Sequence, residues 1–172
     1  MKNTSSTKRL FPSGEVWRGF FFPCLLCVLC AFCVACGDDD EKTNPLLTTG
    51  NDARPTWTVR EGLYDEMELT MSVQVTLQDE LLPHAGDDDL MCATIDGEVR
   101  AVTGLERTGG EIYFPLVIAG NSGSSSKVTL KYYCSQFKRI YTIVDWMPFT
   151  PNIKPTNNDG KPYVVEFIPT EK

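Results

Sequence analysis

Five cysteines, Cys24, Cys27, Cys30, Cys33 and Cys36, recur at intervals of three. C-x2-C spacing suits iron–sulfur clusters and tetrahedral zinc. Thiolates can only meet at one centre if polar or Pro-containing loops aim them. Here the intervening residues are Leu, Val, Phe and Ala, and the spacing stays at two where a ferredoxin run closes with x3-C-P. Free Cys behaves as a small hydrophobe, so the array reads as part of an apolar leader. Hard oxygen ligands occur at Asp87-Asp88-Asp89 and Asn157-Asn158-Asp159-Gly160, without the alternate spacing and distal Glu of a calcium-binding EF-hand loop. Solvated turns account for both.

The only histidine, His84, follows Pro83, and no G-x-S-x-G run supplies a nucleophile for it. Asp87, Asp88, Asp89, Asp96 and Glu98 could serve glycosidic chemistry as carboxylates, but acidic residues in turns mostly solvate. No catalytic residue, metal ligand or cofactor is assigned, and the chain is expected not to be an enzyme. Cys92 and Cys134 are either a disulfide, which a secreted context permits, or two separate thiols. The remaining chemistry is aromatic. Trp146 and Phe149 share a Pro-containing loop, and Tyr113 and Tyr133 sit opposite the core faces of their strands. Trp146, Tyr113 and Tyr133 are therefore candidates for stacking on a sugar or anchoring a protein. The alternative for Trp146 and Phe149 is that they plug one end of the fold.

Lys2, Lys8, Arg9 and Arg18 precede an apolar segment from Phe20 to Val34, which falls short of the roughly 20 apolar residues a membrane helix needs. A basic start, a short apolar core and small residues before a cut site make residues 1–35 a secretory signal. Ala35-Cys36 resembles a bacterial lipobox, with Cys33 in the place where Leu is usual. The resemblance implies cleavage before Cys36 and acylation of its thiol. Asp38-Asp39-Asp40-Glu41 resembles the acidic export signal that sends Bacteroidetes lipoproteins to the outer face of the outer membrane; a solvated linker is the alternative. Residues 36–55, with Asn44-Pro45 and Gly50-Asn51-Asp52, read as a tether holding the domain clear of the headgroups.

The precursor has 16 basic and 23 acidic residues; the leader removes four basic and one acidic, leaving 12 against 22 and a net charge of −10. Such a surface repels phosphate backbones, so nucleic acid is excluded as a partner.

Residues 56–172 form one domain. From Met67 to Leu77, apolar Met67, Leu69, Met71, Val73, Val75 and Leu77 alternate with polar residues, the period of a half-buried strand. Leu90–Ile95 and Glu98–Leu105 flank Asp96-Gly97, a type I′ hairpin signal. Glu111–Ala119 carries Pro115, which removes a donor and predicts an edge position or a bulge. Gly120–Ser126 is a loop, Lys127–Tyr133 and Arg139–Val144 are strands, Pro148–Gly160 is a loop, and Tyr163–Ile168 closes the domain. Seven to eight short strands without a helical period predict an all-β fold, an antiparallel sandwich, with an open barrel as runner-up.

The order of these features, including Gly97-Glu98-Val99-Arg100 and Lys127-Val128-Thr129-Leu130-Lys131-Tyr132-Tyr133, resembles a β-sandwich domain of Bacteroidetes surface lipoproteins. Val99 and Ala101 stand where that family commonly has Cys and Gly. The resemblance implies a lipid-anchored outer-membrane protein facing the exterior, in a family of largely unassigned chemistry. Two roles follow as expectations: a binding or adhesion module for a glycan or protein, or an accessory subunit of a surface assembly such as a fimbria or an uptake complex.

Overall fold

The alternation around Val73 becomes β1 (Leu69–Leu77), the strand on which the rest is laid in the computed structural model, which describes residues 43–121 and 126–170. Leu90–Ile95 forms β2 and Glu98–Gly104 forms β3, joined by Asp96 and Gly97 at φ of 51° and 82°. Both central residues are left-handed, as a type I′ turn requires. Then follow β4 (Glu106–Thr108), β5 (Glu111–Gly120), β6 (Lys127–Cys134), β7 (Arg139–Ile143), β8 (Met147–Pro148), β9 (Tyr163–Val165) and β10 (Phe167–Pro169). One sheet has the order β4-β5-β1-β9, and the other β10-β7-β6-β2-β3, with β8 also on β6. The expected sandwich is present, antiparallel except where β9 runs parallel to β1.

Ten strands stand where seven or eight were expected, because two short strands, β4 and β8, form outside the expected runs and one run is shared between the sheets. Glu98–Leu105 is present as β3, to within one residue; the chain then passes to the other sheet as β4, in a stretch where no strand was expected. Tyr163–Ile168 was read as one strand and divides at Glu166 into β9 and β10, one in each sheet. At that crossing β1 has ended, and the Gln78 side chain acts as a strand partner. Its Oε1 accepts from Phe167 N at 2.6 Å and its Nε2 donates to Phe167 O at 3.2 Å.

Val73, Val75, Phe114 and Leu116 face Met91, Leu130, Tyr132, Tyr141 and Phe167 across the sandwich, all buried. Each such side chain contributes about 1.5–3 kcal/mol by leaving water. Tyr132 is central: its ring lies 5.7 Å from Phe114 and from Tyr141, and 5.8 Å from Phe167, centroid to centroid. Its hydroxyl donates to Asp89 at 2.6 Å. Burial, then the neighbouring carboxylate, push the Tyr132 hydroxyl far above its ordinary pKa. Burial likewise pushes Tyr141 up to about 12.

Residues 43–55, expected as tether, are laid on the domain from Asn44 to Asp52. Asn44 caps a 3-10 turn, Pro45–Leu47, whose Leu46 and Leu47 pack on the core. Gly50 and Asp52 donate their N–H groups to Phe137 O at 2.7 Å and Lys138 O at 2.9 Å. Asp52 Oδ2 accepts from Ile140 N at 2.9 Å, and Arg139 Nη1 donates to Pro45 O and Thr48 O, both at 3.2 Å. These bonds satisfy the margin of β7 beyond β10. Its polar composition does not prevent docking, because backbone groups, the Asp52 carboxylate, the Arg139 guanidinium and the Leu46 and Leu47 side chains hold it together.

The chain then crosses the outer face of the five-strand path. Pro55, Trp57 and Val59 turn inward while Arg54, Thr56, Thr58 and Arg60 are exposed. Trp57 lies beside Lys131 and Ile140. The crossing ends in a single helical turn, α1 (Leu63–Glu66), whose Leu63 is fully buried. The Tyr64 hydroxyl reaches Val117 O at 2.8 Å and Arg100 O at 3.3 Å, on the flanks of β5 and β3. Arg60 binds Glu66 through both nitrogens, at 2.7 and 2.6 Å, and reaches Glu98 at 3.2 Å; Glu98 pairs with Arg100 at 2.9 Å. We call residues 43–66 the belt.

Pro115 lies opposite Gln74. The Gln74 N–H points away from β5, to Pro155 O at 2.7 Å, so the missing donor of Pro115 falls on the far flank, past the end of β4. The strand is internal to its sheet but locally an edge there, which is where proline is tolerated.

Candidate ligand-binding corner

Because β6 and β7 are joined by the turn at 135–138, β7 delivers residues 144–147 to the opposite end of the sandwich. Val144 N donates to Glu166 O at 3.0 Å, tying the turn to the crossing between β9 and β10. β8 then pairs Pro148 with Lys127 and Met147 with Val128. This pairing sets Trp146 beside Lys127, whose Nζ lies 4.7 Å from the ring centroid. Such a contact at an exposed site is worth about 0.5–1 kcal/mol. Trp146 is 50 % exposed, Val144 49 % and Val164 68 %. With Met147, Asp145 and Glu166, the two valines line a cavity of about 390 Å³.

Trp146 and Phe149 part company. Phe149 is buried and plugs the end of the core: a Cβ placed on Gly120 would come within 2.6 Å of its Cζ. Only glycine leaves room for the ring there. Trp146 stays outside.

The other two ring candidates lie elsewhere. Tyr113 is half-buried on the outer face of the β4-β5-β1-β9 sheet, its hydroxyl donating to Glu106 Oε2 at 3.3 Å. Tyr133 was expected on a solvent face, and the structure corrects this: it is 5 % exposed. Its parity is as expected, since it pairs with Leu90 and Ile140 on the outer side, but the belt covers that side. The three rings do not form one site. Cys36, the expected lipidation site, lies outside the described residues, as do the leader, the 38–41 acidic run and 122–125 of the loop after β5.

The acidic turn separates into two kinds of carboxylate. Asp87 and Asp88 are exposed, 3.5 Å from Arg107 and 3.6 Å from Arg54. Asp89 is fully buried and accepts from Tyr132 Oη, from Gly86 N at 2.9 Å, and from Ser135 N and Oγ at 2.8 and 2.7 Å. It is a structural clamp between the β1–β2 loop and the β6–β7 turn. Asn157 Oδ1 accepts from Asp159 N and Lys161 N, closing an Asx-type turn. Among the described residues, no group of three or more His, Cys, Asp and Glu is placed to hold a metal ion.

His84 packs on Phe137 at 4.8 Å between centroids. Cys92 and Cys134 are buried free thiols on opposite faces of the sheet, since Cys134 shares its face with Tyr132 and Cys92 is paired with Lys131. Burial pushes Cys92 up to about 11 and Cys134 in the same direction. Both therefore stay protonated and unreactive at neutral pH. No helix among the described residues is long and apolar enough to cross a membrane.

No family model matches the chain, and comparison with curated proteins and with solved structures finds no match either.

Proposed function

We propose that the chain is a bacterial surface lipoprotein, acylated on Cys36 and held on the exterior of the outer membrane, whose sandwich is a non-catalytic binding module for a glycan or protein. One observation carries this reading: an exposed aromatic corner, Trp146, stands at the end of the sandwich opposite the 135–138 turn, against which the first described residues are held. Pro45, the first residue of the belt held by Arg139, sits at the end bearing the 135–138 turn, and Trp146 sits at the other. Eight residues lie between Cys36 and Pro45, a reach of at most about 30 Å.

Part of the strand margin is closed, which favours a self-contained module over an assembly subunit that shares strands with its neighbours. Tyr64 covers the β3–β5 margin, the belt's first residues cover that of β7, and Pro155 O takes the Gln74 N–H on the margin of β1. Covered margins resist strand addition.

Globomycin treatment or Cys36→Ala is expected to leave the precursor unprocessed, and protease shaving of intact cells to remove the domain. A glycan array and pull-down from outer-membrane extracts test the module. Stoichiometric co-purification with membrane proteins, without a ligand, would make it an assembly subunit instead.

A further inference from the structure

We propose that the belt is a strap that opens as one piece while the sandwich stays folded, so that tension on the Cys36 anchor uncovers the outer side of the sheet it crosses. The source of the tension rests on the surface-lipoprotein reading; the opening itself does not.

The long strands of the sandwich are held by ladders. β1 pairs with β5 from Leu69 to Val75, and β6 with β2 from Val128 to Tyr133. The belt has none: residues 53–59 cross the sheet without a backbone hydrogen bond to it among the described residues. Fastening is confined to the two ends. At the near end Gly50 and Asp52 bond Phe137 O and Lys138 O, the Asp52 carboxylate takes the Ile140 N–H, and Arg139 holds Pro45 O and Thr48 O. At the far end are buried Leu63, the Tyr64 hydroxyl and Arg60 between Glu66 and Glu98. The Arg60 and Glu66 side chains are 48 % and 54 % exposed, and ion pairs so exposed add little. Segments held in this way open at lower free energy than the ladders of a core. A pull on the chain ahead of Thr43 enters the sheet through the near-end bonds, and β1 bears it only after the belt has parted.

Two thiols distinguish this opening from unfolding. Cys92 is fully buried on the outer side, paired with Lys131, and Trp57 of the belt lies beside Lys131. Cys134 is equally buried on the core side of the same sheet. Loss of the belt exposes Cys92 and Tyr133 and leaves Cys134 covered; unfolding exposes all three.

Both tests use the unacylated chain from Cys36 to Lys172, so their outcome is independent of processing at Cys36. Iodoacetamide is applied in native buffer, and peptide mass spectrometry reads which cysteines are modified. Cys92 is expected to react at least about a hundredfold faster than Cys134. Arg139→Ala is expected to speed Cys92 about tenfold by removing its bonds to the belt. An unchanged rate at Cys134 shows that the sandwich of the variant is intact. Cys92 reacting no faster than Cys134, or Arg139→Ala speeding both alike, overturns the proposal. In magnetic tweezers, handles on Cys36 and on Trp146→Cys stretch the chain between its anchor and its exposed corner. A first lengthening of at most about 60 Å, the reach of residues 45–62, is expected before the sandwich unfolds, with Cys92 open to a maleimide in that state. Rupture of belt and sandwich in a single step overturns the strap.

Discussion

Replacing Asp89 by alanine strands four donors at once. Oδ2 accepts from Tyr132 Oη and Gly86 N, and Oδ1 from Ser135 N and Oγ. A hydrogen bond to an ionised acceptor is worth about 1.5–3 kcal/mol net. Not all of that is lost, because Gly86 and Ser135 are partly buried and water can replace the carboxylate there. The Tyr132 hydroxyl points into the core, where only the weak acceptor Cys134 Sγ remains beside it, and a buried donor left so poorly satisfied costs about 1–3 kcal/mol. With partial loss of the other three, Asp89→Ala is expected to cost about 3–5 kcal/mol. At roughly 4 °C per kcal/mol, the midpoint falls by roughly 12–20 °C. Asp89→Asn is not conservative here, since its NH2 must face two donors on whichever side it takes.

Urea unfolding followed by near-ultraviolet circular dichroism measures the cost, and a double-mutant cycle locates it. Tyr132→Phe alone removes one donor and leaves Asp89 three, so about 1–2 kcal/mol is expected. In the Tyr132→Phe background, Asp89→Ala is expected to cost about 1–2 kcal/mol less than in the parent, because no orphan remains. Strict additivity, or a loss below about 1 kcal/mol for Asp89→Ala, refutes the reasoning and makes the carboxylate a surface group.

Gly120→Ala drives a Cβ into the Phe149 ring and is expected to cost about 1–3 kcal/mol; calorimetry should show the penalty vanish in a Phe149→Ala background. Val73→Asp buries an unpaired charge at a position 2 % exposed and is expected to prevent folding. Gln74→Asp, on the outer side, should stay within about 0.5–1 kcal/mol of the parent, which urea midpoints can check. The Glu66 carboxyl lies below its ordinary pKa of 4.5 because Arg60 hydrogen-bonds it. Its folded pKa is depressed, so its contribution is complete above 4.5 and is lost as pH falls below that. Hydrogen exchange at Leu63–Glu66 is expected to speed up in acid, and Glu66→Gln to remove that pH dependence.

Elements set by local period were legible in the sequence. Strict alternation placed β1, and Asp96-Gly97 placed the hairpin, because both follow from backbone geometry within a few residues. Asp89 was not separable from Asp87 and Asp88, since three consecutive acids in a turn look alike until one faces a tyrosine 43 residues away. Trp146 and Phe149 were equally ambiguous. What divides them is the missing side chain of Gly120, which makes a hole the size of one ring.

Tyr133 shows why the belt was missed. Alternation correctly put it on the outer side of its strand, opposite Tyr132, and in a two-layer sandwich the outer side is ordinarily wet. The cover comes from residues 43–66, where Arg54–Arg60 alternates but joins no ladder and the rest pairs with the sheet's margins and with side chains. Asp52 supplies a carboxylate to Ile140 N, Tyr64 a hydroxyl to two strand carbonyls, and Arg139 a guanidinium to Pro45 and Thr48. Each bond is unremarkable as sequence, since Asp, Tyr and Arg are common in linkers too. Together they bury Tyr133 and Cys92 and withdraw one whole face from any ligand. That leaves the corner at Trp146 and the open face bearing Tyr113 as the aromatic surfaces available for contact. Of these, Trp146 is the more exposed ring.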